Sequence, residues 1–122
     1  MFIRLTAAIF LSFSLLIAAG TARADAFFSV IEDLPVMEGL TENENAAVTF
    51  ETATGRIVEA AARGDVPPSK VSAFYEAVLP QLGWHSEQLD SYVRDGEQLK
   101  LSVAPDGDTG TVLTLSLSPV TK

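Results

Sequence analysis

The sequence contains no cysteine, one histidine and one tryptophan in 122 residues. Without cysteine there are no disulfides and no thiol nucleophile, and the His and Cys clusters that hold zinc or copper are missing. The only imidazole is His85, which follows Trp84. Ser86 is adjacent to it, but neighbours in a strand point to opposite faces, so we expect no catalytic dyad. We therefore expect no catalytic residue, no metal and no cofactor, and a fold stabilised by packing alone.

Cations are also scarce, with eight Lys and Arg against 16 Asp and Glu. Two of the cations, Arg4 and Arg23, lie in the first 24 residues, which contain no acid, so the remaining chain has a formal charge of −10. A charge of this sign repels nucleic acid and anionic lipid headgroups. We expect neither of them as a partner.

Residues 1–24 have the layout of a secretory signal peptide. Arg4 precedes an uncharged apolar run over residues 5–19, and Ala22-Arg23-Ala24 forms an A-x-A cleavage site. As a helix this run spans about 22 Å, which is short of the ~30 Å hydrocarbon core of a bilayer. We expect cleavage after Ala24, or after Ala26 at a second A-x-A site, and a periplasmic or secreted protein without a stable membrane anchor.

Residues 25–46 are predicted to form an N-terminal segment with one short helix and a loop. The apolar residues of the helix have spacings of three and one and end before Pro35, which breaks a helix; they are Phe27, Val30, Ile31 and Leu34. Two interpretations of this segment remain open. Its apolar side chains strap the N-terminus across the core, or they form an exposed patch that engages a partner. The residues of that patch would be Phe27, Phe28, Val36 and Met37.

Residues 47–122 are predicted to form an α+β domain that begins with a hairpin and a helix. The stretch VTFETATGRIV alternates on both sides of a TATG turn, and the second strand is expected to continue through Glu59–Arg63. The following helix has Ser69 as its N-cap and Gly83 at its end, with Pro80 loosening the last turn. Its apolar stripe consists of Val71, Phe74, Tyr75, Val78, Leu79 and Leu82.

The rest of the chain predicts a three-stranded antiparallel meander. Asp95-Gly96 and PDGDTG supply its turns. Apolar residues alternate with polar ones along the last two strands; they are Leu99, Leu101, Val103, Leu113, Leu115 and Leu117. The whole order is hairpin, helix and meander, which predicts an α+β fold with a single antiparallel sheet of about five strands and one main helix packed on one face.

Two further residues are candidates for an interaction site. Arg56 follows the first hairpin turn and could bind an anionic ligand, although an ion pair with an acid such as Glu51 on the neighbouring strand is the simpler interpretation. Trp84 could line a ligand pocket, although capping the open end of the core is the simpler role for it.

Three segments of the chain carry a resemblance: DLPVMEGL, GRIVEA and FYEAVLPQLGW. With these segments in this order, the sequence resembles a group of small secreted bacterial proteins of uncharacterised function. The resemblance implies a compact fold and a location in the cell envelope. It implies no catalytic residue.

Two classes of function follow. The first, which we favour, is a non-enzymatic envelope domain that binds a small ligand or another envelope protein through the apolar N-terminal segment and the Arg56 turn. The second is a small enzyme or ligand-transfer protein with a pocket between helix and sheet. That pocket would require Trp84, His85 and Arg56 to converge on one cavity. The oligomeric state remains open.

Overall fold

The structure is a computed structural model, and it describes residues 26–120. The predicted signal peptide lies outside the described residues. The described residues contain seven β-strands, one α-helix and one short 3-10 helix, Glu44–Ala46. In chain order the strands and helix are β1 (Leu40–Glu42), β2 (Val48–Thr52), β3 (Gly55–Gly64), α1 (Pro68–Gln81), β4 (His85–Gln88), β5 (Ser91–Arg94), β6 (Glu97–Asp106) and β7 (Gly110–Pro119).

All seven strands belong to one antiparallel sheet with the order β1-β3-β7-β6-β5-β4, and β2 also pairs with β3. Strands β1 and β2 share one edge of β3, since β1 pairs with residues 62–64 and β2 with residues 55–59. The predicted α+β fold with one antiparallel sheet and one helix is confirmed, but the sheet has seven strands rather than about five. The two additional strands, β1 and β4, have three and four residues and no apolar alternation.

The alternation along the strands divides the sheet into two faces. We define the covered face as the one that packs against α1, and its buried residues are Val58, Ala60, Ala62, Leu99, Leu101, Leu113, Leu115 and Leu117. We define the open face as the opposite one, where small and polar side chains predominate. Residues of the open face include Phe50, Ile57, Glu59, Gln98, Lys100, Ser102, Thr114, Ser116 and Ser118.

The helix begins one residue before the predicted N-cap. Pro67 is its N-cap and makes no side-chain capping hydrogen bond, so Ser69 is a helical residue and the predicted cap is wrong. Proline is well tolerated there because the first N–H groups of a helix have no intrahelical partner. Gly83 has a φ of +89° and ends the helix as predicted, two residues beyond Gln81. Pro80 lies in the last turn, and its side chain is exposed.

The predicted N-terminal helix is not formed. Residues 26–36 make a closed turn, in which the Val36 N–H donates to the Ala26 carbonyl at 2.7 Å and the Phe28 N–H donates to the Leu34 carbonyl at 3.0 Å. A helix of two turns is marginal by itself, and the chain instead packs this segment across the covered face. We call residues 26–37 the strap. Its buried side chains are Phe28, Ile31, Leu34 and Val36.

A carboxylate of the sheet fixes the outer turn of the strap. The Ser29 N–H and hydroxyl both donate to Oε1 of Glu42 in β1, each at 2.9 Å. Strap and sheet are thereby joined by hydrogen bonds as well as by apolar contact. Among residues 26–120, no helix has the length and apolar composition that a membrane crossing requires.

Candidate functional site

The structure places the N-terminal candidates mostly in the core. Phe28 and Val36 are buried and Met37 is half-buried, whereas Phe27 is 52% exposed. Phe28 and Val36 therefore agree with the interpretation in which the N-terminal segment is strapped across the core. The segment therefore offers one exposed aromatic ring to a partner instead of a contiguous apolar patch.

Tyr75 of α1 holds the strap in place. Its hydroxyl donates to the Pro35 carbonyl at 2.8 Å and accepts from the Met37 N–H at 3.2 Å. The ring is 1% exposed, and this burial raises the pKa of Tyr75 to about 12. The hydroxyl is therefore protonated throughout the neutral range and satisfies two backbone groups of the strap at once.

Arg56 is engaged in an ion pair within the sheet. Its guanidinium contacts the Glu97 carboxylate in a bidentate arrangement, with Nε–Oε2 at 2.9 Å and Nη2–Oε1 at 3.1 Å. The acid expected from the sequence was Glu51, which is the cross-strand neighbour of Arg56, but the structure pairs Arg56 with Glu97 instead. The hydrogen bonds that Arg56 donates to Glu97 raise the pKa of Arg56. An anionic ligand would have to displace Glu97 to bind here.

Trp84 is fully buried beneath a second arginine. The Arg94 guanidinium carbon lies 4.3 Å from the centroid of the Trp84 ring, in a cation–π contact. Arg94 also donates to the Leu82 carbonyl at 3.0 Å and forms an ion pair with Asp33 of the strap. Its hydrogen bonds lower the pKa of Asp33. Arg94 thus joins strap, helix end and sheet, a role that no local sequence signal indicates.

His85 lies away from this cluster. It is the next residue after Trp84, but its side chain is exposed, whereas the Trp84 ring is buried. Trp84, His85 and Arg56 therefore do not converge on one cavity, which was the condition for a pocket between helix and sheet. Among residues 26–120, no three His, Asp or Glu side chains come together to hold a metal ion.

The open face contains a groove that the sequence reasoning missed. Its volume is about 660 Å³, which is within the ~300–1,000 Å³ range of small-molecule sites. Strands β2, β3, β6 and β7 and the turn after β2 contribute to its walls. The lining residues are Thr52, Thr54, Ile57, Gln98, Lys100, Ser118, Pro119 and Val120.

The groove combines polar and apolar groups. Ile57, Pro119 and Val120 supply apolar surface, while Thr52, Thr54 and Ser118 supply hydroxyl groups. Gln98 is opposite Ser118 on β7, and its amide donates to the Ser91 hydroxyl at 2.9 Å, which fixes the orientation of the side chain. The groove can therefore accept and donate hydrogen bonds around an apolar floor.

Lys100 is the one ionisable side chain in the lining. It extends from β6 opposite Ser116 on β7. Serine has a small side chain, so it leaves space beside Lys100 on the open face. A single ammonium group favours an anionic ligand, and its flexible stem can reach over the groove. No second titratable group lies in the lining to exchange protons with it.

The chain matches no family model, and no curated protein or solved structure is significantly similar to it. In the lining, Lys100 and Gln98 are polar positions of a strand with apolar alternation, and this is the one sequence pattern the groove contains. Their grouping with Thr52 and Ser118 depends on strand pairing between distant parts of the chain.

Proposed function

We propose that this protein is a non-enzymatic ligand-binding domain of the cell envelope, and that the groove on the open face takes a small hydroxylated anion of the sugar-acid type. The observation that carries the proposal is the groove itself, which has a volume of about 660 Å³ and lies on a sheet face that no helix within residues 26–120 covers. Export to the envelope is supported by the signal-peptide pattern of residues 1–24.

The lining supports this ligand class group by group. The Ser118 hydroxyl and the Gln98 amide match the hydroxyl groups of a sugar ring. The Thr52 hydroxyl donates to the Gly55 carbonyl at 2.6 Å, so it would act as an acceptor. Ile57 and Pro119 offer apolar surface to its C–H groups. Lys100 matches a carboxylate, and a charge-assisted hydrogen bond is roughly twice as strong as a neutral one.

The lining also supports binding without catalysis. Acid–base chemistry on a sugar uses two carboxyl groups with separated pKa values, and the groove has one ionisable side chain, a lysine. An enzyme acting in this groove would need a second reactive group to enter it from elsewhere. A bound ligand released unchanged is the outcome that this lining favours.

The test is a titration of residues 25–122 with glucuronate, followed by amide chemical shifts in heteronuclear NMR. We expect the shift changes to centre on Thr52, Gln98 and Ser118, and glucose to cause the same changes more weakly. Lys100→Gln should weaken glucuronate binding about tenfold, which corresponds to ~1.4 kcal/mol, and leave glucose binding unchanged.

Lys70→Gln is the matched control, because Lys70 is an exposed lysine of α1 outside the groove. It makes the same charge change and should leave both titrations unaffected. Shift changes that are absent, or that spread over the covered face, would remove the proposal. If Lys70→Gln and Lys100→Gln weakened glucuronate binding equally, the effect would come from the overall charge of the protein and not from a contact in the groove.

A further inference from the structure

Strand β2 is an edge strand with an unpaired outer side. It pairs with β3 alone among the described residues, and four of its five side chains are exposed. Phe50 lies at its centre and is 60% exposed, although it is a large aromatic residue on a β-prone strand. Natural sheets usually blunt such an edge with a bulge, a proline or an inward-pointing charge.

The opposite edge of the sheet is blunted in this way. Strand β4 is four residues long, all of them exposed, and its pairing with β5 is interrupted by a bulge between Ser86 and Gln88. The pairing of β2 with β3 runs without interruption from Val48 to Thr52. The two edges are therefore not equivalent, and β2 is the one built to accept another strand.

The hairpin geometry shows which backbone groups of β2 point outward. Two residues separate β2 from β3, so Thr52 and Gly55 flank the turn as a hydrogen-bonded pair, and alternation gives Phe50 and Val48 the same inward direction. The other end of β3 has the same parity, since the Ala61 carbonyl accepts from the Asn43 N–H at 2.8 Å on this edge. Thr49 and Glu51 consequently direct their N–H and C=O groups to the free side.

We propose that two copies of this chain pair through β2, antiparallel and centred on Phe50, to form one continuous sheet. In that register Thr49 lies opposite Glu51 of the second copy, and the outward groups of each exchange both backbone hydrogen bonds. Phe50 lies opposite its own copy at a non-hydrogen-bonded position, where side chains are closest. The twofold symmetry makes the interface self-complementary.

The side chains of β2 fit a second copy in this register. Glu51 is the one charged residue of β2, and it faces Thr49 of the other copy instead of another glutamate. Glu51 of the second copy lies diagonally across, and Arg56, the cross-strand neighbour of Glu51 within each chain, remains paired with Glu97. The formal charge of −10 on each copy opposes association, so added salt should strengthen the dimer.

This inference is independent of the proposed ligand, although the two surfaces adjoin. The second copy would place its Val48 beside Thr52, which lines the groove. Pairing would therefore extend the groove wall on that side. Each copy would keep its own groove, with the grooves on the same face of the joined sheet.

Sedimentation of residues 25–122 over a concentration series tests the association. We expect the mass to approach twice the monomer mass as concentration rises, and to do so at lower concentration in ~0.3 M salt than at low salt. Phe50→Glu should raise the dissociation constant at least tenfold, since like charges then face each other directly. Leu89→Glu makes the same charge change beside the β4 edge, where Leu89 is 85% exposed, and should have no such effect.

A disulfide experiment tests the register, because the natural chain has no cysteine. In Phe50→Cys the introduced thiols would lie at a non-hydrogen-bonded pair with Cα atoms about 4.5 Å apart, within the range of a disulfide. Glu51→Cys is the register control, since its thiols would be diagonal and too far apart. A monomer at every concentration and salt level overturns the proposal. So does faster linkage of Glu51→Cys, or a dimer dissociated by Leu89→Glu instead of Phe50→Glu.

Discussion

The two faces of one sheet differ in how far their side chains are buried. On β7, Leu113, Leu115 and Leu117 of the covered face are fully buried, while Thr114 between them is exposed on the open face. The covered face contains the residues that hold α1 and the strap, and the open face contains the groove and the exposed Phe50. The comparison teaches that residues two apart on a strand can form the core while their neighbours stay exposed, and in our proposal these exposed neighbours bind a ligand.

Substitutions on β7 should separate the two faces most strongly. Leu115→Ala removes a fully buried side chain and leaves a cavity, so we expect a loss of about 2–5 kcal/mol in the free energy of unfolding. Thr114→Ala is the neighbouring change on the open face and should cost within about 0.5 kcal/mol. Urea unfolding of both variants measures the difference. Similar losses for the two would mean that the open face is also packed.

The strands of the covered face were predictable because their alternation is local. Leu99 and Leu101, like Leu113 and Leu115, fall every second residue, and the structure buries all four. The conformation of the strap was not predictable in the same way, because Ile31 and Leu34 of the predicted helical stripe are buried by a closed turn as well as they would be by a helix. Strands β1 and β4 are too short and too polar to show a strand pattern in the sequence. They form because their backbone groups pair with those of β3 and β5.

The groove was less predictable than the fold for a related reason. Thr52 and Ser118 are 66 residues apart in the sequence and become neighbours only through the pairing of β3 with β7. Small hydroxyl residues on an exposed strand face carry no distinctive signal by themselves. The apolar N-terminal segment suggested an interaction site more strongly, but its apolar residues mostly belong to the core.

An alkaline titration should reveal the contribution of Tyr75 to the covered face. Burial raises the pKa of Tyr75 from 10.0 to about 12, so the protonated hydroxyl stabilises the fold. That contribution is fully present below pH 10 and is lost as pH rises towards 12, with a magnitude of about 2 kcal/mol. Urea unfolding at several pH values, beside the near-ultraviolet phenolate absorbance, measures it.

Tyr75→Phe is the control for that titration. It should lower stability by about 1–3 kcal/mol at neutral pH, because the Pro35 carbonyl and the Met37 N–H lose their shared partner. The variant should also lack the part of the alkaline loss that belongs to Tyr75. Tyr92, whose pKa is raised by burial as well, would account for what remains. An unchanged alkaline loss in Tyr75→Phe would assign the effect to other groups.

The smallest expected effect lies at the rim of the covered face, where Asp33 of the strap pairs with Arg94. The pKa of Asp33 is lowered by its hydrogen bonds with Arg94, so the carboxylate stabilises the fold above the ordinary pKa of 3.8 and the contribution is lost as pH falls through the folded value. The carboxylate side chain is half exposed, so Asp33→Asn should cost less than about 1 kcal/mol at neutral pH.

Its control is Glu59→Gln, which removes an exposed carboxylate from the open face. Acid unfolding below pH 4 should shift in Asp33→Asn and remain as in the natural chain in Glu59→Gln. The ion pair also orders Arg94 over the Trp84 ring, so Asp33→Asn should loosen the strap and change the tryptophan fluorescence. A fluorescence change in Glu59→Gln of the same size would couple the two faces, because the open face would then influence the packing beneath it.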